Sequence, residues 1–76
     1  MKVQDYMNVY ERGWVLICDK GEIHVGDKIS AKGNTFEVTG TETATGINWI
    51  GLVLYPNNIV PDCFEIGDEV RIIKNE

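Results

Sequence analysis

Short runs in which apolar and polar residues alternate make up much of this chain, and polar or glycine-rich turns separate them. In the clearest run, residues 35–39, we expect Phe36 and Val38 to face inward and the residues between them to face solvent. The same alternation is found in residues 3–10, 22–25, 28–32 and 69–74. Because side chains of a strand point alternately to opposite faces, each run predicts a strand with one wet face.

Two further runs are almost continuously apolar and too short for core helices. Residues 14–18 predict a strand that is covered on both faces, and residues 47–55 predict a second one that crosses the centre of the sheet. Gly51 interrupts the second run, where a bulge or a close backbone approach is expected. In the first alternating run, Val3, Met7 and Val9 are predicted to share one face of their strand.

Turn signals recur about every eight to twelve residues, and no stretch has helical periodicity over ten or more residues. The turns are predicted at residues 11–13, 19–21, 33–34 and 40–46, and Pro61 suits the start of a single helical turn over residues 61–64. We therefore predict one all-β domain over residues 1–76, a small closed or partly open antiparallel β-barrel of about six strands. Closure would remove the exposed edges of so small a sheet.

A glycine-aspartate pair occurs twice at the head of an alternating run, as Gly26-Asp27 and as Gly67-Asp68. A short carboxylate at such a position commonly accepts backbone N–H groups and ties the turn. The alternative is a pair of carboxylates that act as general acid and base or hold a hard cation. We favour the turn role for these four residues and for Gly21, which is expected to supply the positive φ of a hairpin turn.

Composition narrows the classes of function. The net charge of -5 disfavours nucleic acid as the main partner, since affinity for phosphates needs basic residues. The sequence has no apolar run long enough for a membrane span and no signal-like N-terminus, so a cytoplasmic location is expected. Cys18 and Cys63 lack metal-ligand spacing and are expected to be buried free thiols, and His24 is expected to be exposed on a strand. We expect no enzyme activity, metal or cofactor.

Several stretches, taken in order along the chain, resemble the β-barrel second domain of the translational GTPases, best known from elongation factor Tu. They are Arg12-Gly13, Lys20-Gly21-x-Ile23-x-Val25-Gly26-Asp27-x-Ile29, Phe36-x-Val38-Thr39-Gly40-x-Glu42, Gly51-Leu52-x-Leu54 and Gly67-Asp68-x-Val70. The resemblance implies a barrel, which in that family helps to hold the aminoacyl end of transfer RNA or contacts the ribosome. It does not imply GTP hydrolysis, because the sequence has no phosphate-binding loop.

Half of the chain also resembles SH3-like barrels of the KOW type, through Val25-Gly26-Asp27-Lys28-Ile29 and the turn at Gly33, and this is the alternative fold. For function, we expect a small interaction module that binds an unknown protein partner or associates with itself. Translation-associated binding of RNA or the ribosome is the alternative. Aromatic and loop residues are the predicted contacts with a partner: Tyr10, Trp14, Trp49, Tyr55 and Asn57.

Overall fold

The computed structural model describes residues 1–43, 46 and 48–74, and these residues form six strands and one short helix. In chain order the elements are β1 (Val3–Val9), β2 (Gly13–Asp19), β3 (Lys28–Ala31), β4 (Asn34–Glu42), β5 (Trp49–Tyr55), α1 (Val60–Cys63) and β6 (Arg71–Ile73). The predicted all-β class and the helical turn near Pro61 are confirmed. Residues 44, 45 and 47, in the predicted loop and at the start of the predicted central strand, lie outside the described residues, as do 75 and 76.

The strands form one antiparallel sheet in the order β1-β2-β5-β4-β3-β6. Its two edge strands, β1 and β6, do not pair with each other, so hydrogen bonding does not close the sheet into a barrel. The start of β1 is nevertheless hydrogen-bonded to the segment that precedes β6. Val3 N–H donates to Asp68 O at 2.9 Å, and Gly67 N–H donates to Val3 O at 2.7 Å. The result is a barrel-like sheet that stays partly open.

The concave face of the sheet encloses the core. Phe36 and Val38 are almost fully buried while the residues between and beside them are exposed, which confirms the predicted alternation of β4. The Phe36 ring packs against that of Phe64 beyond α1, with 5.1 Å between centroids. Burying large apolar side chains is the main source of stability in so small a domain. Other buried members of the core are Val3, Leu16, Cys18, Ile23, Ile29, Leu52, Leu54, Val60 and Val70.

One prediction for β1 is wrong. Val3 is buried in the core, but Met7 lies on the opposite face of the sheet with 47% of its surface exposed, and Tyr6 packs against the core instead. The cause is an irregularity of register between Val3 and Asp5, where β1 carries an extra residue opposite β2. A bulge of this kind reverses which alternate residues face inward.

The segment between β2 and β3 also differs from the prediction. Residues 22–25 form no strand: Ile23 is buried, whereas Val25 lies in a turn and is 61% exposed. Gly21 does not adopt a positive φ, and a Cβ on it would come within 2.9 Å of Met1 Cγ. Close packing against Met1 therefore favours a small residue at position 21. β2 forms no hairpin with residues 22–25 and pairs instead with the distant β5.

Candidate functional site

The outer face of the sheet, opposite the core, carries apolar side chains on strands β1, β2 and β5. Strand register places its side chains in rows that run across the sheet. One row consists of Met7, Val15, Val53 and Gly40, and the next consists of Asp5, Ile17, Gly51 and Glu42. The first row ends at Gly40, and Gly51 interrupts the second. Because glycine has no side chain, the neighbouring side chains surround a shallow depression at these positions.

An open groove of about 420 Å³ lies over these rows, and we call it the outer-face groove. Its lining residues are Asp5, Met7, Val9, Val15, Ile17, Glu42 and Trp49. Gly51 keeps the floor low: a Cβ at that position would lie 3.0 Å from Val15 Cγ1 and 3.5 Å from Glu42 Cβ. The expected bulge or close backbone approach is not found at Gly51, because its near neighbours are side-chain atoms and β5 pairs regularly with β2 at this position. A side chain there would fill the groove from below.

Two carboxylates stand at the groove. Glu42 forms an ion pair with Arg12, which lies in the hairpin between β1 and β2, and the distance from Arg12 Nη1 to Glu42 Oε1 is 2.6 Å. Asp5, on the other side, accepts the backbone N–H of Tyr6 through Oδ1 at 2.8 Å. Both side chains are solvent-accessible, so the groove has an apolar floor with the Asp5 carboxylate at one rim and the Arg12–Glu42 ion pair at the other. The Asp5 side of the groove suits an apolar ligand that carries positive charge.

The structure does not bring all the predicted contact residues together. Trp49 lines the groove, but Tyr55 lies at the opposite end of β5 and Tyr10 in the hairpin, each largely exposed. Trp14 is half-buried on the inner face, where it packs edge-on against Tyr6 with 5.7 Å between ring centroids. The groove residues of β1 and β2 escaped the sequence analysis because the bulge in β1 hides which of them share a face with Trp49.

Asn57 acts inside the fold. Its Oδ1 accepts the N–H of Trp14 at 2.7 Å, and its Nδ2 donates to the carbonyls of Trp14 and Leu54 at 3.0 and 3.1 Å. The side-chain amide thus serves as one more rung between β2 and β5, beyond the last backbone pair. The approach is possible because Gly13 has no side chain: a Cβ there would lie 2.3 Å from Asn57 Oδ1.

The two glycine-aspartate turns have the same geometry. Asp27 Oδ2 accepts the N–H of His24 at 3.0 Å, and Asp68 Oδ2 accepts the N–H of Glu65 at 2.9 Å, three residues back in both turns. Gly26 and Gly67 both adopt a positive φ, near 99° and 94°. Neither aspartate contributes to the outer-face groove, whose lining lies on other strands.

Each turn is also tied to the strand beside it by a lysine. Lys74, directly after β6, lies 3.2 Å from Asp27 Oδ2, and Lys32, directly after β3, lies 3.3 Å from Asp68 Oδ2. Asp27 directly precedes β3, and Asp68 lies three residues before β6. Since β3 and β6 pair antiparallel, the lysine partner of each aspartate follows the other strand. The repeat seen in the sequence therefore forms a reciprocal clasp at the two ends of this strand pair.

Cys18 and Cys63 are both free and buried, as predicted. Burial, followed by the charge of Asp19, raises the pKa of the Cys18 thiol to about 12. Only about one molecule in ten thousand then carries a Cys18 thiolate near pH 8, far too few for a nucleophile at neutral pH.

We expect Cys18 in a Cys63→Ala variant to react with iodoacetamide at least about a hundredfold more slowly in the folded protein than in denaturant. The folded protein should remain slower than the denatured protein up to about pH 10, because the raised pKa keeps the Cys18 thiolate fraction low. Mass spectrometry of timed samples would measure it. Rapid labelling of the folded variant, with a rate that rises through pH 8 to 9 like an ordinary thiol, would contradict the buried, protonated state.

The other candidate sites are sparse in the described part of the chain. His24 is exposed but lies in a loop instead of the predicted strand, and among residues 1–43, 46 and 48–74 no three His, Cys, Asp or Glu side chains gather as metal ligands. No helix within those ranges is long and apolar enough to cross a membrane. A comparison of the chain with protein-family models, curated proteins and solved structures finds no match.

Proposed function

We propose that the protein is a non-enzymatic interaction module that binds another protein through the outer-face groove. The groove itself carries this proposal: apolar side chains of Met7, Val9, Ile17 and Trp49 surround a depression on a sheet face that no other element covers among the described residues. Met7 is 47% exposed and Val9, Ile17 and Trp49 are half-buried, so a partner can reach these side chains, and Trp and Met are enriched at protein interfaces. A rigid sheet holds these side chains in place, which lowers the entropic cost of binding.

Kinship with the second domain of the translational GTPases is part of the same proposal. It is supported by the ordered motif residues, of which Gly26-Asp27 and Gly67-Asp68 lie in matched turns and Gly51 lies in a central strand. Such kinship would explain the fold and leave the partner open, because the residues of a site, and not the fold, determine what a domain binds.

The test is affinity capture with wild-type protein and two groove variants, Met7→Ser and Trp49→Ser. A matched control is Val25→Ser, which removes an exposed apolar side chain from the turn before β3, a turn that bonds to β4 at Val38 and does not line the groove. We expect one protein to be retained by the wild type and the control, and its retention to fall at least about tenfold in both groove variants, as for interface anchors. Circular dichroism should show all variants folded.

Sedimentation of the same variants covers self-association. A dimer that dissociates in both groove variants would support the groove and identify the partner as a second copy. A partner held equally well by the groove variants, or a monomer that retains no protein at all, would overturn the proposal. Salt-sensitive RNA binding that ignores the groove variants would also overturn it, in favour of nucleic acid as the partner.

A further inference from the structure

The open edge of β1 lies directly beside the outer-face groove, and its backbone direction can be read from neighbouring contacts. Trp14 directs its N–H and C=O toward the β5 side, where both meet Asn57. Asn8, opposite Trp14, and Tyr6, two residues before it, then direct their own N–H and C=O groups away from β2. An independent contact agrees, because Tyr6 N–H donates to Asp5 Oδ1 and not to β2.

Only the start of this edge is occupied. Val3 exchanges backbone hydrogen bonds with Gly67 and Asp68, but no described strand lies on the outer side of Tyr6 and Asn8. The Asp5 carboxylate covers one donor of this edge, an arrangement that keeps water-exposed edges from pairing indiscriminately. The remaining edge groups around Asn8 are available to an added strand.

The chemistry of a strand added here follows from its neighbours. Alternate side chains of that strand would lie on the outer face, next to Asp5, Met7 and Val9. Apolar side chains would fit against Met7 and Val9, and a cationic side chain would fit against Asp5. A second copy of this chain is a poor occupant, because each copy carries a net charge of -5.

We propose that β1 accepts an extended segment of a partner protein as a seventh strand, and that this segment faces the outer-face groove with Lys or Arg beside Asp5 and apolar side chains beside Met7 and Val9. The proposal rests on the proposed function and names the class of partner. Main-chain hydrogen bonds to Tyr6 and Asn8 would provide affinity, and the groove would select the side chains. Release of Tyr6 N–H from Asp5 would accompany binding, and the carboxylate would turn to the cation.

A synthetic probe tests this directly. The probe is the capped heptapeptide Lys-Thr-Val-Thr-Val-Thr-Lys, whose Lys and Val residues share one face in either strand direction. In nuclear magnetic resonance titrations of the full chain, we expect shifts confined to the amides of β1 and the groove residues. A version with Glu in place of Lys should bind at least about tenfold more weakly at low salt. A version N-methylated at alternate residues along the pairing edge should not bind.

Variants of Asn8 separate strand pairing from groove binding. Asn8→Pro removes the outward N–H without touching the ladder to β2, since proline is tolerated on the open side of an edge strand. Asn8→Thr keeps the N–H and serves as the control. We expect the proline variant to lose at least about tenfold in affinity for the probe and the threonine variant to lose less than twofold.

The outcomes distinguish this proposal from the function on which it rests. If Asn8→Pro binds the probe as tightly as Asn8→Thr does, or the methylated probe still binds, strand addition is wrong. A protein partner that is retained by the wild type but not by Met7→Ser and Trp49→Ser would then still support binding through the groove. Equal binding of the basic and acidic probes overturns the charge preference, and the absence of any shift at millimolar probe overturns the seventh strand.

Discussion

Replacing Asp27 by alanine is expected to lower the free energy of unfolding by about 3 kcal/mol. The side chain is 7% exposed, and its Oδ2 accepts hydrogen bonds from both the His24 N–H and the Lys74 ammonium. Alanine would leave the N–H without an acceptor and the ammonium without its carboxylate. Urea denaturation, followed by tryptophan fluorescence, would measure the loss. Asp27→Asn keeps an acceptor but not the charge, so we expect it to lose less.

The matched control is Asp68→Ala, because Asp68 ties the second turn in the same way. Its side chain is 22% exposed, and the ion pair with Lys32 is open to water, so the loss should be clearly smaller than for Asp27. Both variants remove one turn hydrogen bond, and the difference between them therefore measures burial. Equal losses would contradict the view that the clasp at Asp27 is the stronger of the two.

Lowering the pH tests the role of the Asp68 carboxylate. The N–H of Glu65, and after it Lys32, hold the pKa of Asp68 below its ordinary value of 3.8. A carboxyl with a lowered pKa adds stability above its unfolded pKa and loses it as pH falls through the folded one. The stability gap between wild type and Asp68→Ala should therefore be constant near neutrality and close below about pH 4. A gap that persists in acid would show that the ionised carboxylate is not the stabilising form.

Local patterns predicted those parts of the fold in which one strand faces one core. Phe36 and Val38 in β4, and Ile29 and Ala31 in β3, are buried as their alternation indicates. Such patterns succeed because inward and outward positions of a regular strand are set by local geometry. Cys18 and Cys63 were also predictable as free thiols, because nothing in their sequence spacing suggests that they pair with each other.

The candidate site was not predictable in the same way, because it depends on contacts between distant parts of the chain. The bulge after Val3 turns Met7 toward the outer face, and no residue type in β1 signals it. The groove further requires that β2 lie between β1 and β5, a pairing that brings Ile17 beside Gly51 across more than thirty residues. The sequence favoured aromatic and loop residues as contacts, namely Tyr10, Trp14, Trp49, Tyr55 and Asn57, and of these only Trp49 lines the groove.

Asn57 is the strongest case in which a loop residue serves the fold, and its replacement by alanine is expected to cost about 3 kcal/mol. Three hydrogen bonds would be lost, and the N–H and C=O of half-buried Trp14 would lose their partner at the end of β2. Asn57→Asp keeps the acceptor for Trp14 N–H but places a carboxylate against two carbonyls, so we expect it to cost at least as much. Urea denaturation measures the free energy of unfolding of both variants. A loss under about 0.5 kcal/mol in Asn57→Ala would contradict the view that the Asn57 amide links β2 to β5.

A double-mutant cycle with Gly13 tests the mechanism of this rung. Alanine at Gly13 would push its Cβ into Asn57 Oδ1 and would also occupy a φ near 80°, which L residues rarely adopt. In the wild-type background both effects apply, whereas in Asn57→Ala the displaced amide is already gone. Gly13→Ala should therefore cost about 1 kcal/mol in the second background, from backbone strain alone, and clearly more in the first. Additive losses would show that the two residues act independently and that Asn57 is held by something other than the space beside Gly13.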